Sequence, residues 1–296
     1  MAIEIIIRQK GFFHKVPLEL EDLTDGHLEY GVMDFGYRLV PRETEGVVVF
    51  YDPDHIGRGM ETTYEENIKD RIVLRLPDFS TKYDTAMLYE MTKRICRKWD
   101  TEEFEQNGRR VTVFDIPELK DQAEEFCMDY FRQIRNFVRE DRMVITAALW
   151  PLRIPTDLLE KFGTENDAEG YAQYLHACQS RDLYYALPVI YQSRRTGELF
   201  GVYAISSGTD TIISLEPEVP ASVGLPKERI SFFAVSLVSM QEKKALSTIR
   251  FEDFIAEINR EPMEAYDDCH VILPGLSEEK MAEIASKYPG AEMPAE

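Results

Sequence analysis

The chain has 296 residues, 44% hydrophobic and 30% charged, and its 54 acids against 34 bases leave a formal charge of −20. A chain of this length buries a sizeable core in one large domain or two ordinary ones, and none of its apolar runs reaches the ~18–20 residues of a membrane span. The negative field opposes nucleic-acid backbones and anionic membranes, and favours a basic protein partner or plain solubility.

The acidic excess sits mainly in residues 21–70, with 13 acids and 4 bases, and in residues 251–296, with 12 acids and 3 bases. Residues 1–8, MAIEIIIR, carry an early acid and lack the charged-then-apolar layout of a secretory leader, so they are expected to form a first strand. Four cysteines without such a leader read as free thiols in the cytoplasm.

Residues 11–41 hold four glycines and predict no firm element. Gly46–Tyr51 is a strand by its β-branched run, and residues 52–59, DPDHIGRG, are a loop by their turn residues. Arg71–Leu76 alternates, with Ile72, Leu74 and Leu76 on one face and Arg71, Val73 and Arg75 on the other. Ser80 or Thr81 then caps a helix reaching about Trp99, with an apolar stripe of Met87 or Leu88, Met91 and Ile95. Asn107-Gly108 supplies a hairpin turn whose return strand is residues 111–114. Asp115-Ile116-Pro117-Glu118 has capping-box spacing for the strongest helix in the chain, residues 117–139. Residues 143–150 form a strand ended by Pro151, and residues 155–180 are helical in texture, with Gly163 as a stop and Asp167 as a restart.

Residues 183–191, 199–205, 211–215 and 230–238 read as successive strands, the first two nearly continuous in apolar residues and expected to be covered on both faces. Pro188 removes a ladder donor, which puts its strand at an edge or a bulge. The 117–139 helix is the expected cover for this sheet. Residues 251–259 form a short amphipathic helix, residues 270–273 a last strand, and Ser277 caps a final helix that ends at Pro289. Grouped strands and helices without strict βαβ alternation argue an α+β fold. The expectation is an antiparallel or mixed sheet with a central meander covered by amphipathic helices. It is built as two closely packed lobes, 1–150 and 151–296, divided near Pro151–Pro155, or as a single domain.

Three short stretches, Ile56-Gly57-Arg58-Gly59-Met60, Leu74-Arg75-Leu76-Pro77 and Lys93-Arg94-Ile95-Cys96, resemble a conserved bacterial family of unknown function found mainly in Gram-positive genomes. The resemblance implies a bacterial cytoplasmic protein and carries over no catalytic residue.

The most site-like stretch is the 52–59 loop. Asp52, Asp54 and His55 offer two carboxylates and an imidazole for a divalent ion or acid–base chemistry. Gly57 and Gly59 would let backbone N–H groups approach an anion, and Arg58, joined by Arg71 and Arg75 from the following strand, would complete an anion pocket. The plain reading of the same residues is a solvated turn whose arginines pair with nearby acids. No phosphate-loop Gly-Lys-Ser or Gly-Lys-Thr, no Gly-x-Ser-x-Gly, no Cys-x-x-Cys and no His-x-x-x-His occurs. A second polar cluster, Asp267-Asp268-Cys269-His270, places its Cys and His on diverging sides of a strand. Its cysteine would need a distant imidazole from His14, His27, His55 or His176. Cys96 and Cys127 fall in helix cores as inert thiols. Lys93, Arg94, Arg97 and Lys98 are expected to pair with the chain's own acids. No metal, cofactor or catalytic residue is assigned, and the sequence does not decide whether the chain is an enzyme. The expected function is a non-enzymatic acidic interaction module that binds a basic partner, as an immunity protein does; the alternative is a protein or enzyme for a small anion or phosphate ligand at the 52–59 loop.

Overall fold

The computed structural model describes residues 2–11, 15–220, 223–258, 263–267, 269–288 and 290; His14, Asn259, Asp268 and Pro289 lie outside them. The chain divides into two compact units, Met1–Arg181 and Asp182–Glu296.

The first unit runs β1 Ile3–Arg8, α1 Leu20–Thr24, β2 Glu29–Met33, β3 Leu39–Pro41, β4 Gly46–Tyr51, β5 Met60–Tyr64, β6 Arg71–Leu76 and α2 Lys82–Lys98. It continues through β7 Glu103–Gln106, β8 Arg109–Thr112, α3 Ile116–Arg132, β9 Arg142–Thr146, β10 Pro151–Pro155, α4 Thr156–Glu165 and α5 Ala168–Gln179. Eight strands form an antiparallel sheet in the order β3-β2-β4-β5-β6-β1-β7-β8, and β9 and β10 make a separate hairpin. The alternation in β1 and β6 puts Ile3, Ile5 and Ile7 beside Leu76, Leu74 and Ile72 in the core. Above them lie Leu88, Met91 and Ile95 of α2, which starts at the Thr81 cap; the Thr81 side chain accepts from the Asp84 N–H. Asn107 and Gly108 take positive φ values of 49° and 77° in the β7–β8 turn, as their sequence requires.

Packing corrects several expectations for this unit. The capping box lies one turn earlier than Asp115-Ile116-Pro117-Glu118: Asp115 accepts from the N–H and hydroxyl of Thr112, at 2.7 and 2.8 Å. The helix expected over residues 117–139 is shorter: α3 ends at Arg132, and it packs against α2 and α4 of its own unit. Gly163 is no helix stop, since α4 runs on to Glu165 and closes on Asn166 in the left-handed region. The glycine is there because a Cβ would lie 2.2 Å from the Arg132 nitrogen, so only Gly lets α4 approach α3 this closely. With α4 and α5 built into the first unit, Pro151–Pro155 is a strand inside it, and the division falls after Arg181. Prolines at both ends of a two-stranded hairpin look in sequence like a boundary.

The second unit comprises β11 Tyr184–Tyr185, β12 Val189–Gln192, β13 Leu199–Ser206, β14 Thr211–Ser214, β15 Ile230–Ser239, β16 Lys244–Arg250, α6 Phe251–Ile258, β17 Glu264–Ala265, β18 His270–Leu273 and α7 Glu278–Lys287. The strands make two sheets, β11-β14-β18-β17 and β12-β13-β15-β16. In place of a simple meander, β13 and β15 pair in parallel while the intervening β14 belongs to the other sheet. Pro188 breaks its apolar run into β11 and β12, each an edge strand. Tyr203, Ile205, Val235, Leu237 and Ile249 form the core with Phe254 and Ile258 of α6 and Met281 and Ile284 of α7. The architecture is α+β with mixed sheets. Among the described residues, no helix is long and apolar enough to cross a membrane.

Candidate functional site

Antiparallel pairing of β2 with β4 sets Glu29 opposite Tyr51, so residues just before β2 lie beside those just after β4. This brings His27 to the 52–59 loop. Its Nε2 is 3.0 Å from Asp52 Oδ1 and 3.9 Å from Asp54 Oδ2. His55 Nδ1 is 3.3 Å from the other oxygen of Asp52, and its ring stacks on Tyr83 at 3.9 Å between centroids. The Asp54 N–H also donates to Asp52 Oδ1, at 2.9 Å. Burial alone would raise the Asp52 pKa; the Asp54 amide and the two imidazoles outweigh it and hold the carboxyl below the usual carboxylate range.

The other half of the loop is filled from inside. Arg58 N–H and Gly59 N–H donate to the two oxygens of Asp84, at 3.0 and 2.9 Å, and Thr81 donates to the same carboxylate through its N–H and hydroxyl. A Cβ on Gly57 would lie 2.3 Å from Asp84 Oδ2, so this glycine lets the chain's own carboxylate approach. Asp84 is buried, and burial pushes its pKa up against these donors. Arg58 is equally committed: its Nε donates to the Thr146 carbonyl at 2.8 Å and its Nη1 to the Asp78 carbonyl. The loop is braced further by α5, where His176 Nδ1 accepts from the Ile56 N–H and Gln179 Nε2 donates to the Gly57 carbonyl.

Of the six residues singled out in sequence, the structure therefore groups Asp52, Asp54 and His55. It turns Arg58 onto backbone carbonyls and places Arg71 and Arg75 on the exposed face of β6. There Arg75 pairs with Glu4 at 3.0 Å, and Arg71 stands opposite Arg8 of β1. Arg58 and Arg75 thus have separate partners, and the three arginines do not converge on one anion pocket among the described residues. Sequence reasoning missed two residues. His27 could have been found only from the β2–β4 register, and Asp84 only from the contact its helix cap makes with the loop.

A second feature of this unit is acidic. The Leu18–Ile68 bridge brings the start of α1 beside the chain that follows β5, and burial and the carboxylates of Glu19, Glu66 and Glu21 raise the Tyr64 phenol pKa. The β4–β5 register sets Gly46 opposite Tyr64, which brings Glu45 and Glu43 to the same end as Glu65. All six glutamates are exposed, and among the described residues none has an ion pair. Arg94 pairs with Asp25 at 2.9 Å, Lys98 with Asp22, Lys15 with Asp70 and Lys93 with Glu90, while Arg42 and Lys69, neighbours of these glutamates in sequence, are exposed.

In the second unit, His270 is held between Asp267, 2.8 Å from Nδ1, and Glu218, 3.2 Å from Nε2, with the Tyr185 hydroxyl 3.0 Å from Nε2. Burial would lower the imidazole pKa, but the two carboxylates prevail and raise it to about 9. The four cysteines form no disulfide; burial pushes Cys96 up to about 11 and Cys127 up to about 12, which makes both poor nucleophiles.

Residues 2–284 match the model of a family described as Domain of unknown function (DUF4299), which spans nearly the whole chain and both compact units. Comparison with curated proteins and with solved structures returned no match. The chain belongs to the DUF4299 family.

Proposed function

We propose that this DUF4299 member is a bacterial, cytoplasmic, non-enzymatic interaction module that presents the acidic end of β4 and β5 to a basic protein partner, neutralisation of a basic toxin being one instance. The observation that carries the reading is the cluster of six exposed glutamates, Glu19, Glu21, Glu43, Glu45, Glu65 and Glu66, none of which has an ion pair among the described residues. Acids that pair internally add little to the outer field, whereas clustered unpaired ones repel one another and gain when a cationic surface arrives. Such a patch also steers encounter, and its effect decays over roughly 8 Å at physiological salt. The alternative, a small anion or phosphate at the 52–59 loop, has less support, because Asp84 already occupies the N–H groups such an anion would use.

The test compares two triple variants with the same change in net charge. Glu45→Lys/Glu65→Lys/Glu66→Lys reverses the patch; Glu228→Lys/Glu252→Lys/Glu279→Lys reverses exposed acids of the second unit. Binding of a labelled arginine-rich peptide, followed by anisotropy at low and physiological salt, should weaken about tenfold more in the first variant. Equal weakening would reduce the effect to net charge and overturn the docking surface.

A further inference from the structure

We infer that His27, Asp52 and Asp54 form a binding site for a divalent metal ion of the zinc class, with His55 as the residue that orients Asp52. One donor atom from each of the three lies within 4.8 Å of the other two. An ion bound at ~2.0–2.2 Å to nitrogen and carboxylate oxygen needs its donors roughly 3–3.6 Å apart. The separations of 3.0 Å from His27 Nε2 to Asp52 Oδ1 and 3.9 Å to Asp54 Oδ2 bracket that span. Closing it requires only a rotation of Asp54, whose side chain is 74% exposed.

The donor types select the class of ion. An imidazole with two carboxylates suits zinc, cobalt, manganese or iron(II), whereas calcium and magnesium favour all-oxygen shells. The protein supplies three ligands and leaves the outer side open, since His27 is 52% exposed. That is the layout of a site that keeps water or an exchangeable ligand on the metal, and not of a closed structural site. The backbone prepares the cluster: the β2–β4 register fixes where His27 and Asp52 stand, and the Asp54 N–H holds Asp52 Oδ1.

His55 contacts the oxygen of Asp52 that His27 does not use. With its proton on Nδ1 it donates to Oδ2, the arrangement by which a neighbouring group orients a ligating carboxylate. Stacking on Tyr83 fixes the ring, and the Tyr83 hydroxyl donates to Glu169, at 3.1 and 3.2 Å from its two oxygens. The site is thus tied to both α2 and α5.

The full chain, stripped of metal by chelator, is titrated with Zn²⁺ by calorimetry and with Co²⁺ by visible absorption. We expect one ion per chain and a cobalt spectrum of low coordination number. His27→Ala and Asp54→Asn should each weaken Zn²⁺ binding by about tenfold or more, with an unchanged thermal melt in the absence of metal. Glu43→Gln/Glu45→Gln, which removes acids of the separate glutamate patch, should leave binding unchanged. Several weak sites that respond equally to all these variants, or Zn²⁺ binding that survives His27→Ala, would overturn the proposal. His55→Phe keeps the stacking surface and removes Nδ1; a loss smaller than that of His27→Ala is expected, and no loss would remove His55 from the site. None of these readouts depends on a basic partner, so the metal site and the docking surface stand or fall separately.

Discussion

His270 lies between Asp267 and Glu218 with none of its side chain in water, while His27, beside Asp52 and Asp54, has 52% of its side chain exposed. Both groupings join an imidazole to two carboxylates, and their surroundings give them opposite capacities. In the second unit each ring nitrogen of His270 already has a carboxylate partner, and Tyr185 adds a hydroxyl, so the network is complete and closed to ligands. In the first unit the groups are half solvated, and their internal contacts are weak enough to be exchanged for a metal ion or a partner. Burial, more than residue type, separates a structural ion network from a site.

The largest effect should come from the closed network. His270→Ala leaves Asp267 and Glu218 without their buried cation, which costs about 3–5 kcal/mol by urea unfolding. The pH dependence carries its own signature. The folded pKa, about 9, lies above the ordinary 6.5, so the stabilisation is fully present below pH 6.5 and is lost as pH rises through about 9. The loss amounts to roughly 3 kcal/mol across that window, and it should vanish from the His270→Ala profile. A wild-type stability that stays flat from neutral to alkaline pH would contradict the closed network.

Asp84 stands between these extremes, since it is buried but serves an exposed loop. Asp84→Ala strands the N–H groups of Arg58, Gly59 and Thr81, at a cost of about 3 kcal/mol. The emptied cradle is also what an external anion would need, so acetate or phosphate should raise the melting temperature of the variant more than that of the wild type. Equal shifts in the two proteins would mean that the glycine loop has no anion-binding capacity even when vacated.

How much of this was legible in sequence follows from the range of the interactions. The alternation of Ile72, Leu74 and Leu76, a helix cap at Ser80 or Thr81 and the Asn107-Gly108 turn depend on neighbours a few residues apart; the alternation and the turn appear in the structure as read, and of the two caps it is Thr81. Gly163 was misread as a stop because its reason, the backbone of Arg132, comes from a different helix. The parallel β13–β15 pair escaped for the same reason: local pattern identifies strands but not the sheet each one joins. At the candidate site, Asp52, Asp54 and His55 stood out by adjacency. Their partner His27 and the carboxylate that fills the glycine turn come from positions only tertiary pairing can supply.

The smallest effect on stability should belong to the most exposed group. His27→Ala removes a half-solvated contact to Asp52 whose loss water can replace, so the unfolding free energy should move by no more than about 0.5 kcal/mol. The Asp54 N–H and His55 still hold the two oxygens of Asp52 in the variant, so the loop keeps its shape. If the contrast between the two networks is sound, this substitution is silent in urea without metal, while Zn²⁺ stabilises the wild type and not the variant, as a ligand that binds only the folded state must. A metal-free destabilisation approaching that of His270→Ala would place His27 among the structural groups, and the distinction between the open and the closed cluster would fail.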